Sequence, residues 1–179
     1  MIDFEMACGS HHKIIQEVEF VVRRAKELND RELHGGYLVV ASNTGKAIGI
    51  PLLIRGVGSV QVETLESMPE PPNIVTTAPW EYIGYALEKA LRLASHVDHV
   101  ASSQSRDDKA GMYPGAIMAG PYILSFDGLK LELNEAVVLV TAVFCDLLNE
   151  HAAREIAILC KNTLFEPLLR LCLYDRIPG

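Results

Sequence analysis

The chain has 179 residues, a net charge of −7 with histidine neutral, 49 % hydrophobic and 22 % charged residues. That length and mixture suit one folded domain over residues 1–179, not a disordered tail or a coiled coil. The excess of 23 acidic over 16 basic residues argues against a nucleic-acid partner, because affinity for a phosphate backbone rests on Lys and Arg.

Ser10 to Leu28 reads as an amphipathic helix. Ile14, Val18, Val22, Ala25 and Leu28 recur every three or four residues, Ser10 can cap the first turn, and Arg23, Arg24 and Lys26 suit the negative end of the macrodipole. His34-Gly35-Gly36 then breaks the chain, as a helix C-cap and loop or as backbone amides turned towards an anion. Tyr37–Ser42 and Lys46–Ile54 read as two strands joined at Asn43-Thr44-Gly45, with Pro51 placing the second at an edge or a bulge. Gly56-Val57-Gly58 offers a reversal, and Val60, Val62 and Thr64 alternate like a third strand.

Met68–Asn73, with three prolines, is a loop, and Thr77 with Pro79 marks a helix start. Ile83, Leu87, Ala90, Leu91 and Ala94 form a helical stripe running towards Val100. Ala101–Met112 is the most polar stretch of the chain, and long polar loops are enriched in function. Tyr122–Phe126 is a strand, and Asp127-Gly128 before Leu129, Leu131 and Leu133 signals a hairpin. Ala136–Phe144 is ambiguous: its valines suit a buried strand, its length and the preceding Asn134-Glu135 a helix. Asn149 starts a helix with Ala153, Ile156, Ala157 and Cys160 on one face, and Pro167 opens a last one to about Tyr174. The order helix, strands, helix, strands, helix predicts an α+β fold, a mainly antiparallel sheet with helices packed on it in a profilin- or PAS-like arrangement.

The segment Val39–Gly49, reading VVASNTGKAIG, resembles the first hairpin of the HbpS/GlcG-like domains, the haem-binding or haem-degrading type. Glu88–Ala94 looks like their central helix and Glu150–Ala157 like their closing helix. The resemblance implies the same fold over about residues 10–160 and favours Ala136–Phe144 as the last strand; it also implies self-pairing and a haem-like ligand. No ligand-binding motif carries over residue by residue.

Three clusters carry chemistry. His96-Val97-Asp98-His99 sets two imidazoles three residues apart with a carboxylate between, a set that could share a divalent metal or haem iron; a solvated helix end is the alternative. Cys8 with His11 and His12 is a second thiol–imidazole group. In the polar loop, Arg106 can grip a carboxylate or phosphate, with Asp107 and Tyr113 as further ligand contacts. Gly-x-Ser-x-Gly and Walker motifs are absent, and Gly56-Val57-Gly58 is no dinucleotide fingerprint because a strand pattern follows it.

No run of about 20 apolar residues suggests a membrane span, and the N-terminus lacks the pattern of a secretory signal. Cys8, Cys145, Cys160 and Cys172 have no framework spacing and are expected as reduced thiols of a cytoplasmic protein. A mean hydropathy of +0.17 suggests an apolar face buried between subunits, hence a homodimer or larger. The expected function is a small-molecule binding or accessory domain whose ligand is unassigned, with haem and a divalent metal as the candidate cofactors. The alternatives are a metal-assisted enzyme and an assembly domain without a ligand.

Overall fold

Strand β1 (Gly35–Ser42) is the axis of the molecule, with every residue buried. It pairs antiparallel with β2 (Pro51–Gly58) on one side and β4 (Tyr122–Asp127) on the other, and β3 (Ala116–Ala119) completes the sheet in the order β2-β1-β4-β3. The computed structural model describes residues 4–29, 35–58 and 79–176. The remaining elements are helices α1 (Phe4–Ala25), α2 (Pro79–Ala94), α3 (Leu131–Phe144), α4 (Glu150–Leu159) and α5 (Phe165–Tyr174).

Strand alternation sends side chains to two apolar cores. Leu38, Val40, Leu124 and Phe126 pack against α1, α3, α4 and α5 on one face. Val39, Ala41, Ala116 and Ile123 pack against Ala86, Ala90 and Leu93 of α2 on the other. The α+β architecture with helices on an antiparallel sheet is therefore as expected from the sequence.

Three local readings are corrected. First, Ala136–Phe144, open between strand and helix in the sequence and favoured as a strand by the resemblance, is the body of helix α3, and Leu129–Leu133 runs into its first turn from Leu131 rather than forming a strand. Every residue from Leu133 to Ala142 is buried, so the helix has no polar face to betray its period; a segment apolar all round looks alike as buried helix or buried strand. Second, Asp127-Gly128 is not a hairpin turn. Gly128, at φ +136°, crosses the start of β1 so closely that a Cβ would lie 2.4 Å from the Gly35 carbonyl oxygen. Gly35 and Gly36 belong to the same crossing as the first residues of β1, while His34 lies outside the described residues. Third, Ser10 lies within α1, which begins at Phe4, and so does not cap it.

The first hairpin is shifted. A 3₁₀ turn occupies Gly45–Ala47, and β2 starts only at Pro51, with a register slip between Val40 and Ala41 where the prolyl nitrogen has no hydrogen to offer. Gly56-Val57-Gly58 is strand, not a reversal. The expected strand at Val60–Thr64, the loop at Met68–Asn73 and Thr77 lie outside the described residues. Strand β3 carries no alternation of polar and apolar residues, which hid it in the sequence.

Candidate functional site

The polar stretch after α2 is an ordered platform. Two 3₁₀ turns, Ser102–Ser105 and Asp108–Ala110, are stitched to the sheet by the Ala101–Ile117 bridge. Arg92, near the C-terminus of α2, holds it from beneath. Its guanidinium donates to the carbonyl oxygens of Ser102 (2.7 Å), Ser105 (3.2 Å) and Tyr113 (2.6 Å), and to Ser105 Oγ (2.6 Å). Glu88 one turn earlier accepts from Arg92 Nε at 2.6 Å and balances the charge. Sequence reasoning missed Arg92 because its partners are mostly backbone carbonyls, which no motif encodes.

Behind this platform lies a buried polar network. Lys89, with none of its surface exposed, donates to Asp127 Oδ1 and to the Phe126 carbonyl oxygen. Asn134 donates to the same Asp127 oxygen (3.0 Å) and accepts from the Leu129 amide (2.9 Å), fixing the approach to α3. Gly115, at φ +134°, leaves the room this needs: a Cβ there would sit 3.0 Å from Lys89 Nζ and 2.6 Å from the Phe126 carbonyl oxygen. Burial pushes the Lys89 pKa below its ordinary value, against the opposing pull of Asp127.

One residue further along α3, Glu135 turns the other way. It forms the wall of a cleft of about 420 Å³ lined also by Ser103, Arg106, Glu132, Cys160 and Asn162. Helix α4 ends there in a Schellman turn. The Asn162 amide reaches the Ala157 carbonyl at 2.8 Å, the Lys161 amide reaches the Ile158 carbonyl at 3.0 Å, and Lys161 is left-handed at φ 55°. A lysine in that conformation costs about 1 kcal/mol or more relative to glycine. The turn aims Asn162 at α3, where Nδ2 donates to the Glu132 carbonyl (2.8 Å) and to Glu135 Oε1 (3.3 Å). Its Oδ1 meanwhile accepts from the amides of Leu164 and Phe165 at the start of α5.

Glu135 is only 1 % exposed, yet its Oε2 makes no hydrogen bond of sound geometry, and neither does the neighbouring Ser103 Oγ. Burial raises the Glu135 pKa above the usual carboxylate range, although Ser103, Asn162, Cys160 and the charge of Lys89 all pull it down. Cys160 is no nucleophile at neutral pH: burial first, then the nearby Glu135, push its thiol up to about 12. Cys145 and Cys172 are likewise free thiols raised to about 12 by burial.

The loop residues expected to bind a ligand each have contacts within the protein. Arg106 lines the Glu135 cleft, but its guanidinium is engaged bidentately by Asp108 at 2.7 and 2.8 Å. Asp107 turns its carboxylate onto the amides of Lys109 and Ala110. Tyr113 packs edge-on against Tyr85, 6.2 Å between ring centres, beside a second, open cleft between α2 and the loop. His96, Asp98 and His99 follow the end of α2 at Ala94 in a turn, not on the helix. The two imidazoles stack at 4.6 Å, and neither lines the Glu135 cleft. His11 faces Tyr122, 5.6 Å between ring centres, while the side chain of Cys8 is outside the described set. Among the described residues no group of three or more His, Cys, Asp or Glu side chains comes together as a metal ligand set. No described helix is long and apolar enough to cross a membrane.

Glu135, Asn162 and Cys160 are the site residues that the sequence reading did not single out. The available signal was the polar pair Asn134-Glu135 opening an otherwise apolar segment. No family model matches the chain, and no curated protein or solved structure matches it significantly.

Proposed function

We propose that the chain is a small-molecule binding module whose ligand occupies the cleft between the Ser102–Ser105 turn, α3 and the α4–α5 junction, anchored on Glu135. The observation that carries this reading is the buried Glu135 carboxyl with the Ser103, Cys160 and Asn162 side chains gathered around it at the wall of that cleft. A cleft with a few convergent polar groups, one of them a buried carboxyl of perturbed pKa, is the usual form of a small-ligand site. The lining is largely polar, which suits a small polar molecule better than the haem implied by the HbpS/GlcG-like resemblance. A fragment screen followed by amide chemical shifts tests it. Hits should move resonances of Ser103, Glu135 and Asn162, whereas hits clustering elsewhere, or at His96 and His99 with a haemin Soret band, would overturn it.

A second reading, favoured by the raised Glu135 carboxyl, makes that residue a general acid towards the bound molecule. Turnover that falls with rising pH and vanishes in Glu135→Gln would distinguish it from binding alone.

A further inference from the structure

The two edges of the sheet differ. Beyond β3, Ala101 bridges Ile117 and the Met118 amide donates to the Val100 carbonyl at 2.8 Å. Beyond β2, no described strand pairs with the outer main chain. Ile54 stands opposite Val39, whose side chain packs on α2, so Leu52 and Ile54 continue that face to the sheet edge. Leu53 and Val57 turn the other way, into the core shared with α1. Ile48 and Ile50 just before the strand and Leu91 of α2 extend the patch; a Cβ on Gly49 would meet Leu91 Cδ2 at 3.6 Å. These five exposed side chains are each between 44 % and 53 % accessible.

Edge strands are normally blunted by lysine, proline or a bulge, because open main chain beside an apolar row invites another strand. Here Pro51 and the register slip guard only the start of β2, and from Leu52 to Gly58 the one charge is Arg55. No acidic residue occurs between Glu32 and Glu63, although the chain holds 23 of them. This edge therefore lacks the negative charge that keeps copies of a −7 chain apart. The patch amounts to roughly 400–500 Å², within the range of a monomer's largest and often functional patches. Two of them, with the main chain of two eight-residue edges, reach the ~1,000 Å² that a specific interface needs.

We propose that this edge is the seam of a homodimer, in which β2 pairs antiparallel with β2 of a second copy and joins two four-stranded sheets into one. A two-fold axis at Leu53 sets Leu52 of each copy against Ile54 of the other, the register that pairs the two exposed large hydrophobic residues of the strand. It also sets each Arg55 against Pro51, so the two arginines lie about 13 Å apart along the strands, beyond the Debye length at physiological salt. An axis at Arg55 would instead bring the two cations face to face.

Complementation tests that register. Leu52→Lys and Ile54→Glu each set a charge against an apolar partner, and analytical ultracentrifugation should show each alone as a monomer at about 100 μM, where the unmodified chain is a dimer. Mixed in equal amounts they should dimerise again, because the introduced lysine then faces the introduced glutamate. In the unmodified chain, exchange of β2 amides not bonded to β1 should slow at least about threefold between about 1 and 100 μM. An unmodified chain that is monomeric at about 100 μM would overturn the dimer. Variants that stay dimeric alone, or a mixture that stays monomeric, would overturn the β2 seam. So would β2 amides equally protected at every concentration, which would show the edge covered by its own chain. Both substituted positions are half exposed, so the variants should keep the fold, as circular dichroism would confirm.

Discussion

Replacing Glu135 by glutamine should make the protein more stable at neutral pH. The side chain is 1 % exposed, and its Oε2 has no hydrogen bond of good geometry. A buried polar group left unsatisfied costs about 1–3 kcal/mol, more when charged. Glutamine keeps an acceptor for Asn162 and offers an amide towards Ser103 without any charge to desolvate. The folded pKa of Glu135 is raised, so the native state holds a proton that the unfolded chain releases near its ordinary value of 4.5. Stability from this group is therefore full at low pH and is lost as pH rises through the folded pKa. At about pH 4 wild type and Glu135→Gln should have the same midpoint. At about pH 8 the variant should lead by about 1–3 kcal/mol, or roughly 2–12 °C for a chain of this size. Thermal melts by circular dichroism across that range are the assay. A variant that is less stable by the same amount at both ends would refute the reasoning, since Glu135 would then be a satisfied structural residue.

The Lys89–Asp127 pair should respond oppositely. Lys89→Met removes the buried counter-charge of Asp127 and should cost about 3–5 kcal/mol by denaturant melts, whereas Lys89→Met with Asp127→Leu should recover much of it; equal losses would show that the two charges are not coupled. Arg92→Met removes four bonds to the polar platform and should cost about 2 kcal/mol or more, with amide exchange accelerated at residues 102–106 and 113 ahead of α3. Uniform acceleration throughout the chain would deny Arg92 that local role. Self-association, expected from the composition, has a surface to act through: Leu52 and Ile54 on β2 are 47 % and 44 % exposed, and Ile50 just before it is 53 % exposed. Light scattering should give a dimer or larger that Leu52→Lys converts to monomer, and a wild-type monomer at micromolar concentration would end that expectation.

Where a single element carried its own signal, the sequence was enough. Ile14, Val18, Val22 and Ala25 are all buried at helical spacing, and Asn149 caps α4 through its side chain onto the Ala152 amide. The strands at Tyr37–Ser42 and Tyr122–Phe126 were legible because short valine- and isoleucine-rich runs bounded by turn residues have few other uses. Helix α3 was not, because period carries information only when one face is wet, and its whole body is dry. The Asp-Gly pair misled for a related reason. Its glycine answers a need of tertiary contact, the passage of β1 within touching distance, and local turn statistics are blind to that.

The site was less legible still, since Ser103, Glu135 and Asn162 come from three elements and meet only when α3 is buried between them. What identifies it is a contrast between neighbours. Asn134 and Glu135 are adjacent on α3 and almost equally buried, at 0 % and 1 % exposure. Asn134, on the sheet side, has its acceptor filled by the Leu129 amide and its donors shared between Asp127 and the Leu129 carbonyl. Glu135, on the cleft side, has Asn162 on Oε1 at 3.3 Å and otherwise only the Ser103 hydroxyl and the Cys160 thiol beside it, with no bond of good geometry at Oε2. A network selected for stability alone would be closed on both sides, because a half-satisfied buried network is worse than an apolar one. The firm closure of one residue and the looser contacts of the next divide α3 into a face locked to the sheet and a face that lines the cleft.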